Sequence, residues 1–256
     1  MAFLKIYRHA RREGFRSAIV RALRAAPSYI SRMSRWTIRR CGCCNHMTIF
    51  VANSSSPEFT LCLLCSANER YELLAAEIRS RYGSDLSEKD VLELDPHSPL
   101  RRILSGARTY TRTFYDGRKS SGSLGPEGSV CQDITSLTFN DDSFDLIVSS
   151  EVLEHVPLLE KALSETARVL KPGGAHLFTV PPRARTKKRA EIVDGKTHFL
   201  EPPDYHRDPL NAEGILAFWD IGPDLPEVIK AARLDMKIVR GPAGEDGRVV
   251  WIAELR

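Results

Sequence analysis

Residues 143–156 read "SFDLIVSSEVLEHV". Phe144, Leu146, Ile147 and Val148 make a short, nearly continuous apolar run, the pattern of a strand buried on both faces of a parallel sheet. Ser149, Ser150, Glu151 and His155 follow at its exit, where a purely structural strand needs neither acids nor histidines. The carboxyl ends of strands in an open α/β sheet are where such sheets gather ligands. The stretch therefore predicts a strand whose C-terminal end faces a ligand.

The same alternation extends in both directions. Downstream, "LLEKALSETARVLKPGG" reads as a helix stopped by Lys171–Pro172–Gly173–Gly174, and "AHLFTVP" as a further strand. Upstream, "DVLELD" and "RTYTRTFYDG" read as strands around a helical "SPLRRILSGA". A Gly/Ser loop or shortened crossover then leads to the strand in "VCQDITSLTF". Strands alternating with helices predict a Rossmann-like, doubly wound α/β fold with a mostly parallel sheet. The tail differs, because "DMKIVRG" and "RVVWIAELR" flank "PAGEDG" and predict an antiparallel hairpin at the end of the sheet.

With 256 residues the chain can bury a full core and still carry an appendage. Its net charge of +4 is unevenly spread. Of 37 basic and 33 acidic residues, eleven and one lie in residues 1–40, which leaves residues 41–256 with 26 against 32. An acidic body argues against nucleic acid as the partner of the whole chain. No apolar run approaches the length of a membrane span. Residues 1–40 interleave apolar side chains such as Phe15, Ile19 and Leu23 with arginines at roughly helical spacing, and lack the continuous apolar core of a secretory signal. They read as a basic amphipathic helical extension. It packs on the body or on a second copy in a homo-oligomer, lies on an anionic membrane surface, or serves as a transit segment. The expected location is cytoplasmic, with peripheral membrane contact through this extension as one reading.

Five of the six cysteines fall in residues 41–65. Cys41 and Cys44 form one C-x-x-C and Cys62 and Cys65 another, with seventeen residues between the pairs. Each such turn presents two thiolates to one tetrahedral ion, so the spacing predicts a closed, structural zinc site. Cys43 and His46 stand as alternative ligands. The intervening "MTIFVANSSSPEFTLC" predicts a two-stranded excursion with Ser54–Ser55–Ser56–Pro57 at its turn. "SANERYELLAAEIRSRY" predicts an amphipathic helix closed by Gly83, so residues 41–83 form a small zinc-ribbon-like module and residues 84–256 the main domain. Cys131, far off in a strand, reads as core.

The order "VLELD … YDG … QDITSLTFNDDSFDLIVSSEVLEHV … ALSETARVLKPGGAHLFTVP" resembles the class I S-adenosylmethionine-dependent methyltransferases of the type 11-like kind. It is most similar to a subgroup with an N-terminal four-cysteine zinc knuckle followed by an "ER" helix. The resemblance covers roughly residues 41–256, and "DSFDLIVSSEVLEHV" and "RVLKPGG" carry it. It implies S-adenosylmethionine as cofactor and zinc as a structural ion. It places Glu93 on the acid of the first motif, with Asp95, Pro96 and His97 where the family has a glycine turn. Asp116, with Tyr115 beside it, falls on the ribose-binding acid. Asp133 and Ile134 fall on the adenine site, and Ser149, Ser150 and Glu151 on the exit beside the cofactor.

His155 lies four residues after Glu151, which on a helix would put both on one face. It either points into the site as a base or contact, or only packs within its helix. Residues 181–229 read as a long irregular segment, the kind that tends to form lids and binding loops. His198, Tyr205 and His206 there are candidate general bases, and His198 with "HRD" offers a metal-binding alternative. Arg183, Arg185, Lys187, Lys188 and Arg189 form either a solvated face or an attractor for a phosphorylated, sugar-nucleotide or lipid-linked substrate. The expected activity is methyl transfer to a small-molecule, saccharide or lipid-linked acceptor. The rival readings are a catalytically degenerate binding or scaffold protein, and a zinc-assisted nucleic-acid methyltransferase.

Overall fold

The computed structural model describes residues 35–52, 60–206, 214–229, 233–240 and 248–256. The basic extension lies outside the described residues up to residue 34. Residues 35–40, read as its end, form a strand instead. Local helical spacing is a weak signal over six residues, and pairing with the next strand overrides it.

The described residues divide into two units, those of 35–41 with 46–68, and those of 42–45 with 69–256. In the first, β1 (Arg35–Arg40), β2 (Met47–Ala52) and β3 (Thr60–Cys62) form a three-stranded antiparallel sheet in that order. Phe50, wholly buried, faces Cys62 across the ladder, and the Arg39 guanidinium lies 3.4 Å from its ring centroid. The predicted excursion thus forms, while its Ser54–Pro57 turn lies outside the described residues.

The second unit is built on a seven-stranded sheet in the order β15–β16–β8–β7–β4–β5–β6. These strands are β4 (Asp90–Glu93), β5 (Thr109–Phe114), β6 (Val130–Cys131), β7 (Phe144–Ser150), β8 (Leu170–Thr179), β15 (Leu234–Arg240) and β16 (Val249–Leu255). Strands β4 to β8 run parallel, and β16 lies antiparallel between β8 and β15. The α/β Rossmann-like sheet and its terminal hairpin are therefore as the alternation predicts. Between β5 and β6 the crossover shrinks to a loop with one 3₁₀ turn, and the helix between β4 and β5 is only Arg101–Leu104.

Two longer helices cover the sheet. Leu159–Val169 buries Leu159, Ala162 and Leu163 in a core with Leu92, Ile147, Phe178 and Trp251. Residues alternate with these along the strands, so Val91, Leu146, Leu177 and Ile252 are buried on the opposite face. Glu69–Tyr82 adjoins β8 and β16, burying Leu74, Ala75 and Ile78, and Gly83 at φ +73° ends it. The helix 159–169 stops one residue before Lys171–Gly174, which enters β8 itself. A Cβ on Gly174 would sit 2.9 Å from the Lys171 carbonyl oxygen and 3.1 Å from that of Asp145, so only glycine lets β8 start so close to β7. No helix among the described residues is long and apolar enough to cross a membrane.

The described part of residues 181–229, expected to be irregular, instead carries short two-stranded pieces. These are β9 (Lys187–Lys188) with β14 (Trp219–Asp220), β10 (Ala190–Val193) with β11 (Lys196–Phe199), and β12 (Tyr205–His206) with β13 (Ile215–Leu216). The ladders are two to four residues long, too short for strand periodicity to show in sequence.

Candidate active site

Because β4, β5, β6 and β7 run parallel, their C-terminal ends lie along one edge of the sheet. Glu93, Asp116, Asp133 and Glu151 come from these four exits in turn. Asp145 belongs to the other end. It accepts the Asp90 N–H at 2.8 Å and pairs with Lys171 at 2.8 Å, and so fastens the strand entrances. The Arg108 guanidinium and Lys171 hold the Asp90 carboxyl well below the usual carboxylate range.

At the β4 exit, Glu93 is 1% exposed and accepts the Tyr110 hydroxyl on Oε2, while Oε1 has no hydrogen-bond partner. Burial pushes its carboxyl up to about 8, so it is largely protonated at neutral pH. The turn that follows is tied by side chains where a glycine turn would be bare. Asp95 accepts the Tyr71 hydroxyl and the His97 N–H, both at 2.8 Å, and the Pro96 carbonyl accepts from Arg112 at 3.2 Å. At the β5 exit Asp116 accepts two guanidinium bonds from Arg118, at 2.9 and 3.0 Å, and the Arg118 backbone N–H at 3.1 Å, which together draw the carboxyl down to about 2. The Arg118 side chain is 90% exposed, so another donor can replace it at little cost. Tyr115 beside it is exposed. At the β6 exit Asp133 caps its own turn, accepting the Thr135 N–H and hydroxyl at 2.8 Å, and Ile134 is buried behind it.

The β7 exit departs from expectation in two ways. Ser149 is buried and bonded to the His176 ring at 2.8 Å, so of the two serines only Ser150, which shares a bond with Thr179 at 3.0 Å, remains partly exposed. Successive strand residues point to opposite faces, and Ser149 takes the inner one. Nor is there a helix to align Glu151 with His155. Glu151 has φ +56°, a left-handed conformation that a non-glycine residue holds only under constraint, and 3₁₀ geometry follows over Leu153–His155. The Glu151 carboxylate pairs with Arg248 at 3.2 Å.

The structure gathers a cluster just beyond this exit. Glu154, His155 and His206 place one ligand atom each within 4.8 Å of one another. Glu154 is 1% exposed, and neither carboxylate oxygen has a hydrogen-bond partner among the described residues. His155 Nε2 and His206 Nδ1 each stand 3.6 Å from Glu154 Oε1, and the two rings meet edge to face with centroids 4.8 Å apart. Glu154 raises the pKa of His206 above its ordinary value. Sequence reading missed Glu154, although it sits inside the quoted stretch, because a glutamate in an apparent helix looks like a solvated face. Of the other base candidates, His198 is exposed on the β10–β11 hairpin opposite Glu191. Tyr205 is 53% exposed, and alternation turns it away from its neighbour His206.

The basic run is taken up by acids of the same unit. Arg183 and Arg189 converge on the nearly buried Asp220 at 3.0 and 2.8 Å, and Lys187 and Lys188 pair with Glu201 and Glu191. Arg185, the remaining member of the run, is exposed.

Within the first unit the sulfurs of Cys41, Cys62 and Cys65 lie within 4.8 Å of one another, with Cys41 and Cys65 at 3.6 Å. Cys43 instead donates to the Tyr71 carbonyl at 3.2 Å, and His46 is exposed. Burial raises the Cys62 thiol pKa, but the Cys65 and Leu64 N–H groups outweigh it and hold the thiol below its ordinary value. No disulfide forms among the described cysteines.

Known proteins match the same region. Residues 106–178 match the family described as "Methyltransferase domain". The match runs from the approach to β5 to the end of β8, across the exits that carry Asp116, Asp133 and Glu151. Demethylmenaquinone methyltransferase of Mycobacterium tuberculosis is 31% identical over 130 residues, 50% of this chain and 56% of that one. The ubiquinone biosynthesis O-methyltransferase of Coxiella burnetii is 43% identical over 49 residues, 19% of this chain and 21% of that one. The chain thus spans about half the length of the first relative and a fifth of the second. Among solved structures, an S-adenosylmethionine-dependent methyltransferase from Mesorhizobium loti aligns with a TM-score of 0.45 at 14% identity, over 70% of this chain and 96% of that one. A 1,6-didemethyltoxoflavin-N1-methyltransferase from Burkholderia thailandensis aligns at 0.43 and 18%, over 70% and 75%.

Proposed function

We propose that the chain is an S-adenosylmethionine-dependent methyltransferase acting on a small-molecule acceptor. The observation that carries this is the row of acids at four parallel strand exits, three of which lie within the methyltransferase-domain match. The residues present fit the cofactor. Asp116 offers two carboxylate oxygens to a ribose once the exposed Arg118 moves aside. Asp133 offers its second oxygen to an exocyclic amine, with Ile134 as an apolar surface behind it. Glu93, kept neutral by burial and with one oxygen unpartnered, is a hydrogen-bond donor without an acceptor at the mouth of the first turn. When bound, the cofactor supplies an electrophilic methyl group on sulfur. The protein's share is to hold the acceptor in line with that methyl, and for a hydroxyl acceptor to take up its proton. Glu154, His155 and His206 are the titratable groups collected nearest the β7 exit.

The two relatives named for menaquinone and ubiquinone favour a phenolic or quinol-type acceptor over nucleic acid. A saccharide or lipid-linked acceptor remains within the proposal. The observation favouring a non-catalytic relative is the first turn, where Asp95 and Pro96 stand in for glycines. Against it, the Asp95 carboxylate is folded back onto Tyr71 and the His97 N–H. Methyl transfer from radiolabelled S-adenosylmethionine to a panel of phenols and quinols tests the activity. A folded protein that binds the cofactor yet labels no acceptor would favour the scaffold reading.

Cys41, Cys44, Cys62 and Cys65 are proposed, on their paired spacing, to hold a structural zinc ion. Tetrahedral zinc with Zn–S bonds of about 2.3 Å sets its sulfurs about 3.8 Å apart. The Cys41–Cys65 separation of 3.6 Å is already close to that edge.

A further inference from the structure

Outside the cysteine module, the described residues collect one further set of ligand atoms around a buried carboxylate. We propose that Glu154, His155 and His206 form a second metal site, of the two-histidine, one-carboxylate kind, for a divalent transition-metal ion. Glu154 is the decisive residue. A carboxylate that is 1% exposed, with no hydrogen-bond partner for either oxygen among the described residues, leaves a burial penalty that two histidines 3.6 Å away offset only in part. A bound cation removes it.

The histidines are oriented as ligands. His155 Nδ1 lies 2.9 Å from the Leu216 carbonyl oxygen, which can only accept, so Nδ1 carries the proton and Nε2 turns its lone pair toward Glu154. His206 presents Nδ1 to the same carboxylate, while its Nε2 lies 3.8 Å from Asp204 Oδ2. His155 thus has an accepting oxygen behind it and Nε2 in front, the arrangement that fixes tautomer and direction in metal-binding histidines, and His206 turns Nδ1 to the same carboxylate with Asp204 on its far side. Tetrahedral zinc with bonds of about 2.0–2.1 Å places its donors about 3.3 Å apart, so the 3.6 Å separations need only a few tenths of an ångström of movement.

Two imidazoles and one carboxylate suit zinc, iron(II), cobalt(II) or manganese(II) rather than magnesium or calcium. Three protein ligands leave a coordination position open. On the methyl-transfer reading above, that position takes the acceptor oxygen and lowers its pKa, so the acceptor class would be hydroxyl compounds. Metal binding itself does not depend on that reading.

Cobalt(II) titration of the full chain, followed spectroscopically and by elemental analysis, tests the site. Two equivalents are expected. One is a thiolate-bound ion with intense ligand-to-metal charge transfer, lost in Cys62→Ser. The other is a nitrogen/oxygen-bound ion with weak visible bands only, retained in Cys62→Ser and lost in both Glu154→Gln and His206→Ala. His206 is partly exposed, so its variant remains informative if the buried glutamate substitution impairs folding. Wild-type protein that takes up no nitrogen/oxygen-bound ion, or variants that retain it, would overturn the proposal. Neither readout requires S-adenosylmethionine, so a failed cofactor assignment would be seen separately.

Discussion

Glu93 shows how a single buried group ties stability to pH. Its folded pKa of about 8 lies above the ordinary carboxylate value because burial disfavours the anion. The native state therefore holds this proton more tightly than the unfolded chain. The resulting stabilisation is full below the ordinary carboxylate range and is lost as pH rises through about 8. Glu93→Gln keeps a neutral group of the same shape, so urea midpoints measured from pH 5 to pH 8.5 should fall less steeply in the variant. At the β7 exit the candidate bases separate by location. His206→Ala should lower turnover by about 10²–10⁴ while sparing cofactor affinity. His198→Ala, on an exposed hairpin, should leave turnover within about twofold; the reverse ordering would move the chemistry to that hairpin. Legibility was uneven at this scale. Asp116 and Asp133 are found by counting from strand ends, but Glu154 is not, since only tertiary burial distinguishes it from a surface glutamate. Ser149 is buried because successive strand residues point to opposite faces, which the apolar run alone does not reveal.

Among the elements, β4, β7 and β8 are joined at their entrances by one basic residue. Lys171 bonds both Asp90 and Asp145, and its removal leaves two carboxylates side by side. Lys171→Ala should destabilise the protein by about 1–3 kcal/mol at pH 7, the scale of hydrogen bonds to charged groups. Both carboxyls are held below their ordinary pKa, so the difference between variant and parent should shrink as pH falls below about 4. Denaturation curves at pH 7 and pH 3 check this. In the cysteine module, Cys62→Ser should cost about one zinc per chain by elemental analysis; a metal-free parent with a fully folded module and free thiols would end the zinc assignment. The module's strands and the helix 69–82 were readable because cysteine spacing and apolar period are local signals. Residues 35–40 and 181–229 were not, because two- to six-residue strands are specified by their partners across the ladder.

At the scale of the whole molecule, sequence is most informative where burial is most complete. Buried parallel strands must be continuous apolar runs, so the strands themselves could be read up to the terminal hairpin. The ligand edge then follows from topology, since parallel strands deliver every exit to the same side. How the exits are dressed depends on contacts distant in sequence, such as Tyr71 on Asp95, Arg248 on Glu151 and Leu216 on His155. The central claim is that this edge holds S-adenosylmethionine. Calorimetric titration of the purified chain with S-adenosylhomocysteine tests it most directly. The account predicts one site per chain, weakened about tenfold or more in Asp116→Ala and in Asp133→Ala, the scale of one or two lost hydrogen bonds. A folded parent that binds no S-adenosylhomocysteine, or equal affinity in both variants, would contradict it.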